Sequence, residues 1–288
     1  MNFTKLQGAG NDFVLVETSD RQRDWSQVAR AICDRHFGVG GDGLLLVLPS
    51  DVADFQMCVF NPDGSKAEAC GNGLRCLAKY VIDMGLANSG AEGILVETMS
   101  GVRRVKVHRA TGRVIRTQVS MGEPRFGAED IPVKVESGKE SLVDIKPILD
   151  YPVTIGGEEL PMSFVSIGNP HAVCFCQHSI SDFPLSRIGP EVEQHQLFPN
   201  RVNFEIARVI SRQQIEARVW ERGVGETQAC GSGACAVAVL AQLHGYIDNR
   251  VDIKLPGGIL EVEWSGAGEV FLSGPAEIVF TGEWADEV

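Results

Sequence analysis

A repeat of short motifs about 160 positions apart is the feature that most constrains the fold of this chain. The ACGNG motif at residues 69–73 returns as ACGSG at residues 229–233, an offset of 160. The segment GNDFVL at 10–15 resembles GNPHAV at 168–173, and TMSG at 98–101 matches LPGG at 255–258, at offsets of 158 and 157. Three matches in the same order predict two halves of like fold.

The pattern within each half predicts strands around one helix. A strand leads to a Gly-Asn turn, and further strands, a Cys-Gly-x-Gly turn, a helix and a hairpin follow. The hairpins are expected at 95–107 and 251–264. The helix after Gly73 has one polar stripe, Arg75, Lys79 and Asp83, whereas residues 234–241 are apolar all round and therefore predict a buried helix. Because strands do not alternate regularly with long helices, a doubly wound parallel sheet is disfavoured. We expect an α+β fold of two pseudo-symmetric halves, each a mixed β-sheet wrapped around a central helix.

Composition narrows the class of protein. The 288 residues are enough for about two domains. A net charge of −12 argues against nucleic acid or an anionic membrane as a partner. The longest helix-like apolar stretch, 234–241, is far shorter than the roughly 20 residues of a membrane span. The first residues show no basic region leading into an apolar one, so we expect a cytoplasmic protein.

The eight cysteines do not predict a disulfide scaffold or a zinc site. They are sparse for a chain of this length, and neither a Cys-x-x-Cys pair nor a zinc-finger histidine spacing occurs. We therefore expect no metal site.

The GVGGDG segment at 38–43 fits the fingerprint of dinucleotide sites, but its context is reversed. That fingerprint requires a strand before it and a helix after it. Here a helix-like segment at 26–35 precedes and a buried strand at 44–48 follows. A Walker lysine motif and a context for a pyridoxal phosphate lysine are also absent from the sequence, so we expect no cofactor.

Cys70 and Cys230 each precede a Gly-x-Gly that opens a helix. Free N–H groups and the positive end of the helix dipole lie there, so the pKa of either thiol is expected to fall toward or below about 7. The same N–H groups can bind a carboxylate. Two such turns around one substrate would let one thiolate remove a proton while the opposite thiol delivers one, which inverts a stereocentre.

These motifs closely resemble the diaminopimelate epimerase family. The resemblance rests on residues 69–76, 226–233, 8–13 and 168–171, and it extends over essentially the whole chain. It implies cofactor-independent conversion of LL-2,6-diaminopimelate to the meso isomer, in lysine and cell-wall precursor biosynthesis. It also implies a homodimer.

The resemblance assigns roles residue by residue. Cys70 and Cys230 match the catalytic pair, of which the first acts on the LL isomer and the second on the meso isomer. His171 and Glu221 match residues that adjust the thiol pKa values. Arg222, paired with Glu221, would take the distal carboxylate in two hydrogen bonds. The matched substrate-binding positions are Asn11, Asn61, Gly71, Asn72, Asn169, Asn203, Glu221, Arg222, Gly231 and Ser232.

The resemblance also places the boundary of the halves. It implies an N-terminal half at 1–118 with a returning C-terminal strand at 276–288, and a C-terminal half at 119–275. One departure stands at Gly43, where some family members carry a substrate-contacting glutamine.

Three other functions fit parts of the pattern. A racemase of another amino acid, also independent of pyridoxal phosphate, would use the same fold and thiol pair but gives no reason for an Arg222 clamp. A thiol redox protein would join Cys70 and Cys230 in a reversible disulfide. A non-catalytic amino-acid binding protein would keep the asparagines and Arg222 but would not need both thiols.

Overall fold

The computed structural model describes residues 1–67, 71–87, 93–110, 113–134 and 146–285. The chain divides into two compact units. Unit 1 comprises Met1–Ser120 and Ser273–Val288, and unit 2 comprises Met121–Leu272. Strand β16 (Phe271–Gly274) crosses the boundary between them along the sequence.

Unit 1 is one mixed sheet and two helices. Its strands are β1 (Asn2–Gly8), β2 (Asn11–Glu17), β3 (Gly43–Leu48), β4 (Phe55–Phe60), β5 (Ile94–Thr98), β6 (Gly101–Ala110), β7 (Arg113–Ser120) and β17 (Glu277–Glu283), and its helices are α1 (Trp25–Ile32) and α2 (Gly71–Asp83). The strand order is β17-β1-β2-β3-β4-β5-β6-β7, in which β2–β3 and β4–β5 are parallel and the other pairs antiparallel. Helix α2 contacts β1, β2, β3, β4, β6, β7 and β17, so the sheet wraps around it.

Unit 2 repeats this plan. Its strands are β8 (Tyr151–Ile155), β9 (Glu158–Ser166), β10 (Pro170–Phe175), β11 (Asn203–Ser211), β12 (Gln214–Glu221), β13 (Gly225–Thr227), β14 (Arg250–Leu255) and β15 (Gly258–Glu263), and its helices are α3 (Leu185–Glu193) and α4 (Gly231–Leu243). The order is β8-β9-β10-β11-β12-β14-β15, with β10–β11 and β12–β14 parallel and short β13 added to β12. Helix α4 contacts β9, β10, β11, β12, β14 and β15.

The two units share one sequence of pairings. From β1 to β6, and again from β9 through β12 to β15, neighbouring strands pair antiparallel, parallel, antiparallel, parallel and antiparallel. In each unit a short helix bridges the first parallel pair and the central helix bridges the second. The predicted α+β fold of two pseudo-symmetric halves is confirmed.

The two central helices are buried for different reasons. In α4 every residue from Ala234 to Ala241 is buried, as the unbroken apolar run predicts. In α2 the polar stripe does not face solvent. Lys79 pairs with Asp83 at 2.7 Å, and both side chains bond the backbone of Val114 in β7. Arg75 is fully buried and donates to the carbonyl of Pro275 at 2.8 Å. The stripe therefore ties α2 to its own sheet.

None of the helices in the described part of the chain combines the length and the apolar character needed to cross a membrane.

Candidate active site

Cys230 is the N-cap of α4. Its backbone is extended, and its sulfur accepts a hydrogen bond from the N–H of Gly233 at 3.4 Å. The Ser232 hydroxyl lies 3.5 Å from the same sulfur, and the carbonyl of Cys230 accepts from Ala234. Within the described residues, the N–H groups of Gly231 and Ser232 have no hydrogen-bond partner. Such N–H groups at a helix start are suited to a carboxylate.

The structure reverses the expected direction of the Cys230 pKa. Burial raises the pKa of this thiol well above its ordinary value, and the nearby Glu221 and Glu205 carboxylates raise it further, whereas Ser232 and the Gly233 N–H oppose them. The sequence-based expectation counted the helix N-terminus but not the desolvation of a cysteine residue that is only 5% exposed.

Glu221 ends β12 beside Cys230, and burial raises the pKa of its carboxyl group too. Hydrogen bonds from the Thr227 hydroxyl, at 2.6 Å, and from the Cys230 thiol lower that pKa, as does the charge of His171. His171 thus lowers the pKa of the carboxyl group beside Cys230, while its effect on the thiol itself stays a prediction. The pKa of Glu221 and the pKa of Cys230 therefore depend on each other, because the two groups are in contact.

His171 lies in β10 and is fully buried. Its Nδ1 donates to Oε1 of Glu205 at 2.7 Å, and its Nε2 lies 3.0 Å from Oδ1 of Asn169. In the parallel pair β10–β11, His171 is opposite Asn203. Alternation along these strands places His171, Asn203 and Glu205 on one face, whereas Phe204 lies in the apolar cluster on the other. The site is thus built on the inner face of two central strands.

Asn203 uses its side-chain amide inside the protein. Its Nδ2 donates to the Pro170 carbonyl at 2.8 Å, and its Oδ1 accepts from the backbone N–H of Arg222 at 2.9 Å. The Arg222 guanidinium donates to the Asn200 carbonyl at 3.2 Å. Asn203 therefore joins the loop that carries Asn169 to the one that carries Arg222.

Unit 1 holds a chain of polar side chains at the N-terminal end of α2. Arg75 donates to Oδ1 of Asn72, and Nδ2 of Asn72 donates to Oδ1 of Asn11 at 3.1 Å. Asn11 donates to Asp42 at 2.8 Å, and Asp42 is held by Arg35 at 2.7 Å. Two predicted substrate-binding residues, Asn11 and Asn72, are therefore brought together and held by Arg75, Asp42 and Arg35, to which the sequence analysis gave no role in the site.

Three other positions of unit 1 were predicted to belong to the site, namely Gly71, Asn61 and Cys70. Gly71 is the first residue of α2 and is buried. Asn61 bonds within its own turn, where its Nδ2 donates to the Ser65 hydroxyl at 2.9 Å. Cys70 lies outside the described residues.

Gly43 begins β3 at a position that has no space for a side chain. A Cβ built on its backbone would lie 2.9 Å from the Phe60 carbonyl oxygen and 3.4 Å from the Phe13 ring. A side chain such as glutamine would not fit on this backbone without movement of the sheet.

Glu205 is the functional candidate that sequence reasoning missed. It is fully buried, contacts His171 and affects Cys230. A signal was present, because it is the one charged residue in an otherwise apolar run from Phe204 to Ala207 and stands two positions after Asn203. A carboxylate on the buried face of a strand requires a partner.

In the described part of the chain, no group of three or more His, Cys, Asp or Glu residues is arranged to hold a metal ion.

Solved structures define the class to which this architecture belongs. A probable proline racemase from Agrobacterium radiobacter K84 is similar with a TM-score of 0.73 at 12% identity, over 99% of this chain and 92% of that one. A hydroxyproline epimerase from Agrobacterium vitis gives 0.72 at 14% identity, over 98% and 90%. A phenazine biosynthesis protein from Bacillus anthracis gives 0.69 at 16% identity, over 99% of each chain. The chain therefore shares its overall fold with these three proteins.

Sequence comparison narrows the class to one family. The model of a family described as diaminopimelate epimerase matches residues 3–127 and 163–279. The diaminopimelate epimerases of Acetivibrio thermocellus and Pelotomaculum thermopropionicum are both 45% identical, over 98% and 99% of each chain, respectively. That of Desulfovibrio desulfuricans is 46% identical over 99% of this chain and 98% of its own. The chain belongs to the diaminopimelate epimerase family, and epimerisation is the function that these relatives support.

Proposed function

We propose that this protein converts LL-2,6-diaminopimelate to the meso isomer with Cys70 and Cys230 as the two acid–base groups and without a cofactor. The observation that carries the proposal is the start of α4. There the Cys230 sulfur caps the helix beside the two N–H groups of Gly231 and Ser232 that lack partners in the described structure. Membership of the family supplies the substrate and the role of Cys70.

The proposed reaction moves one proton off the α-carbon and another onto it. For the LL isomer, the Cys70 thiolate removes the α-proton, and the electron pair moves into the adjoining carboxylate. Hydrogen bonds from Gly231 and Ser232 N–H groups would stabilise the added charge. The Cys230 thiol then donates its proton to the opposite face of the carbon. Cys70 ends as the thiol and Cys230 as the thiolate, and the meso isomer reacts in the reverse sense.

The electrostatics of unit 2 support Cys230 as the proton donor for the LL isomer. Burial and two carboxylates raise the pKa of its thiol, so a resting Cys230 carries its proton. Cys230 can act as a base only after the surroundings change, and binding of a substrate that carries two ammonium groups would favour its thiolate.

Arg222 is the residue proposed to bind the distal carboxylate of the substrate. We propose that Arg222 exchanges its bond to the Asn200 carbonyl for two bonds to the distal carboxylate, because a guanidinium prefers that planar acceptor. The assignments of Asn11, Asn61, Asn72 and Asn169 as substrate contacts, and of Gly71 as part of the carboxylate-holding turn, belong to the same proposal.

The cellular setting is also a proposal. We assign the reaction to lysine and cell-wall precursor biosynthesis in the cytoplasm, by a homodimer. The seven cysteines of the described part of the chain are all free thiols, as expected in a reducing compartment. Light scattering during gel filtration would measure the mass of the assembly.

The test is incubation of reduced protein with LL-diaminopimelate in D2O, with no cofactor added. Chiral chromatography should show the meso isomer, and NMR should place deuterium at the inverted centre. Cys70→Ala and Cys230→Ala should each lower the rate by roughly 10²–10⁴-fold or more. Cys176→Ala is the matched control, because within the described residues its thiol donates to the His178 carbonyl and contacts none of the predicted site residues; this variant should keep its epimerase activity.

Each alternative has its own outcome. Substantial epimerisation by either single-thiol variant would refute the two-base mechanism. Inversion of other amino acids but not of diaminopimelate would favour a different racemase on the same fold. Thiol oxidation turnover without α-proton exchange would favour a redox protein.

A further inference from the structure

Glu205 is a buried carboxylate that the proposed reaction does not use. It lies in β11 with no exposed surface, and its Oε1 accepts the Nδ1–H of His171 at 2.7 Å. Its Oε2 is also buried and has no hydrogen-bond partner within the described residues. A buried carboxylate oxygen without a donor is costly, so its position calls for an explanation beyond stability.

The carboxylate of Glu205 is adjacent to the start of α4. A Cβ built on Gly233 would lie 2.8 Å from Glu205 Oε1 and 3.4 Å from the Cys230 sulfur. The carboxylate and the sulfur thus both lie next to one backbone position, and only a glycine there permits β11 and α4 to approach so closely.

The other groups that face Cys230 come from each neighbouring element of unit 2. Glu221 extends from β12, the Gly233 N–H and the Ser232 hydroxyl belong to α4, and Glu205 extends from β11. His171 of β10 is bonded to Glu205. The two carboxylates oppose ionisation of the sulfur, and the two α4 groups favour it.

We propose that Glu205 is a positioning residue for the reaction proposed above: it fixes the His171 ring and keeps the Cys230 sulfur in its protonated, proton-donating form between turnovers. The inference rests on the proposed function, because Cys230 is a proton donor only in that reaction. The effect of the Glu205 carboxylate on the Cys230 thiol can nevertheless be measured without substrate.

The test compares Glu205→Gln with the unaltered protein by the pH dependence of Cys230 alkylation. Iodoacetamide is applied between pH 7 and 10.5, and mass spectrometry quantifies the Cys230 peptide. The glutamine keeps the size of the side chain and an oxygen acceptor for His171 but removes the negative charge. At each pH below the inflection, Cys230 should be alkylated about tenfold faster in Glu205→Gln, which corresponds to a fall of about one pH unit in the inflection.

Two further variants separate charge from shape. Glu205→Asp retains a carboxylate and should restore most of the original profile. Glu216→Gln removes a half-buried carboxylate of β12 that pairs with Lys254 at 2.9 Å, and its Cys230 profile should not move. Alkylation of Cys176 in the same digests reports any general loosening of unit 2, because that thiol is distant in sequence and bonds the His178 carbonyl.

The outcomes distinguish this inference from the proposed function. The inference is overturned if Cys230 is alkylated at the same rate in a folded Glu205→Gln protein as in the unaltered protein. It is also overturned if Glu205→Asp changes that rate as much as Glu205→Gln does. Either result would count against the role of Glu205 even if the enzyme epimerises diaminopimelate. A shift confined to Glu205→Gln would support the control of Cys230 by Glu205, and loss of the epimerase assay alone would then count only against the proposed function.

Discussion

Replacement of Asn203 by alanine should separate two loops that this side chain joins. Asn203 is buried, and its amide satisfies the Pro170 carbonyl and the Arg222 N–H at 2.8 and 2.9 Å. Alanine leaves both backbone groups without these partners. Each loss costs about 1–3 kcal/mol, so the free energy of unfolding should fall by about 2–6 kcal/mol.

Urea denaturation followed by circular dichroism measures this loss. The slope grows with chain size and should be about 3 kcal/mol per molar urea here, so the midpoint should fall by roughly 0.7–2 M. Asn249→Ala is the control, since its side chain is exposed and accepts one surface bond from Gln242 at 2.9 Å. That variant should stay within about 0.5 kcal/mol of the unaltered protein.

Asn203→Asp tests the two hydrogen bonds of Asn203 separately. The aspartate can still accept from Arg222 but, while ionised, cannot donate to Pro170, and it adds a buried charge. Its deficit should be at least as large as that of alanine at pH 7 and should shrink on acidification, when the protonated carboxyl regains a donor. Equal stability of the alanine variants at positions 203 and 249 would refute the assignment of Asn203 as the link between the loops.

Two further predictions concern packing and charge. Gly189→Ala would ordinarily favour a helix by about 1 kcal/mol, but its Cβ would lie 2.4 Å from the Trp220 ring, so we expect a loss of about 1–3 kcal/mol in thermal unfolding. Burial opposes the ionisation of Asp12, yet Arg35 and Lys5 hold its pKa below the ordinary 3.8. Its contribution to stability is therefore present above that value and lost as pH falls through the lower folded value. Asp12→Asn should reduce the acid dependence of the urea midpoint, and an unchanged dependence would contradict the ion-pair assignment.

The two-halved fold could be predicted from the sequence because the same short motifs occur in both halves and each motif specifies its structure locally. Glycines at matching turns and the apolar run of α4 are visible without any partner. The polar stripe of α2 was visible too, but the partner that it binds, the backbone of Val114, comes from a strand more than 30 residues away. Helix period alone does not say which face of such a helix meets a sheet.

The electrostatics of the site could not be predicted in the same way. The direction of the Cys230 pKa depends on desolvation and on Glu205, which approaches only because β11 packs against Gly233. The bonds of Asn203 likewise depend on two loops that are remote along the chain. Such contacts are properties of the folded chain, and a resemblance can name the residues without giving their partners.

The pairing of β17 with β1 imposes an order on biosynthesis. Residues Asn2–Gly8 leave the ribosome long before Glu277–Glu283, the segment to which one edge of β1 bonds. At about 5–20 residues per second, that edge waits on the order of 15–50 s for its neighbour, with its backbone groups open to other chains. Unit 2 is continuous in sequence and emerges whole during this interval. Nascent chains should thus depend on chaperones at β1, and proteolytic loss of the last strand would return the mature protein to this unfinished state.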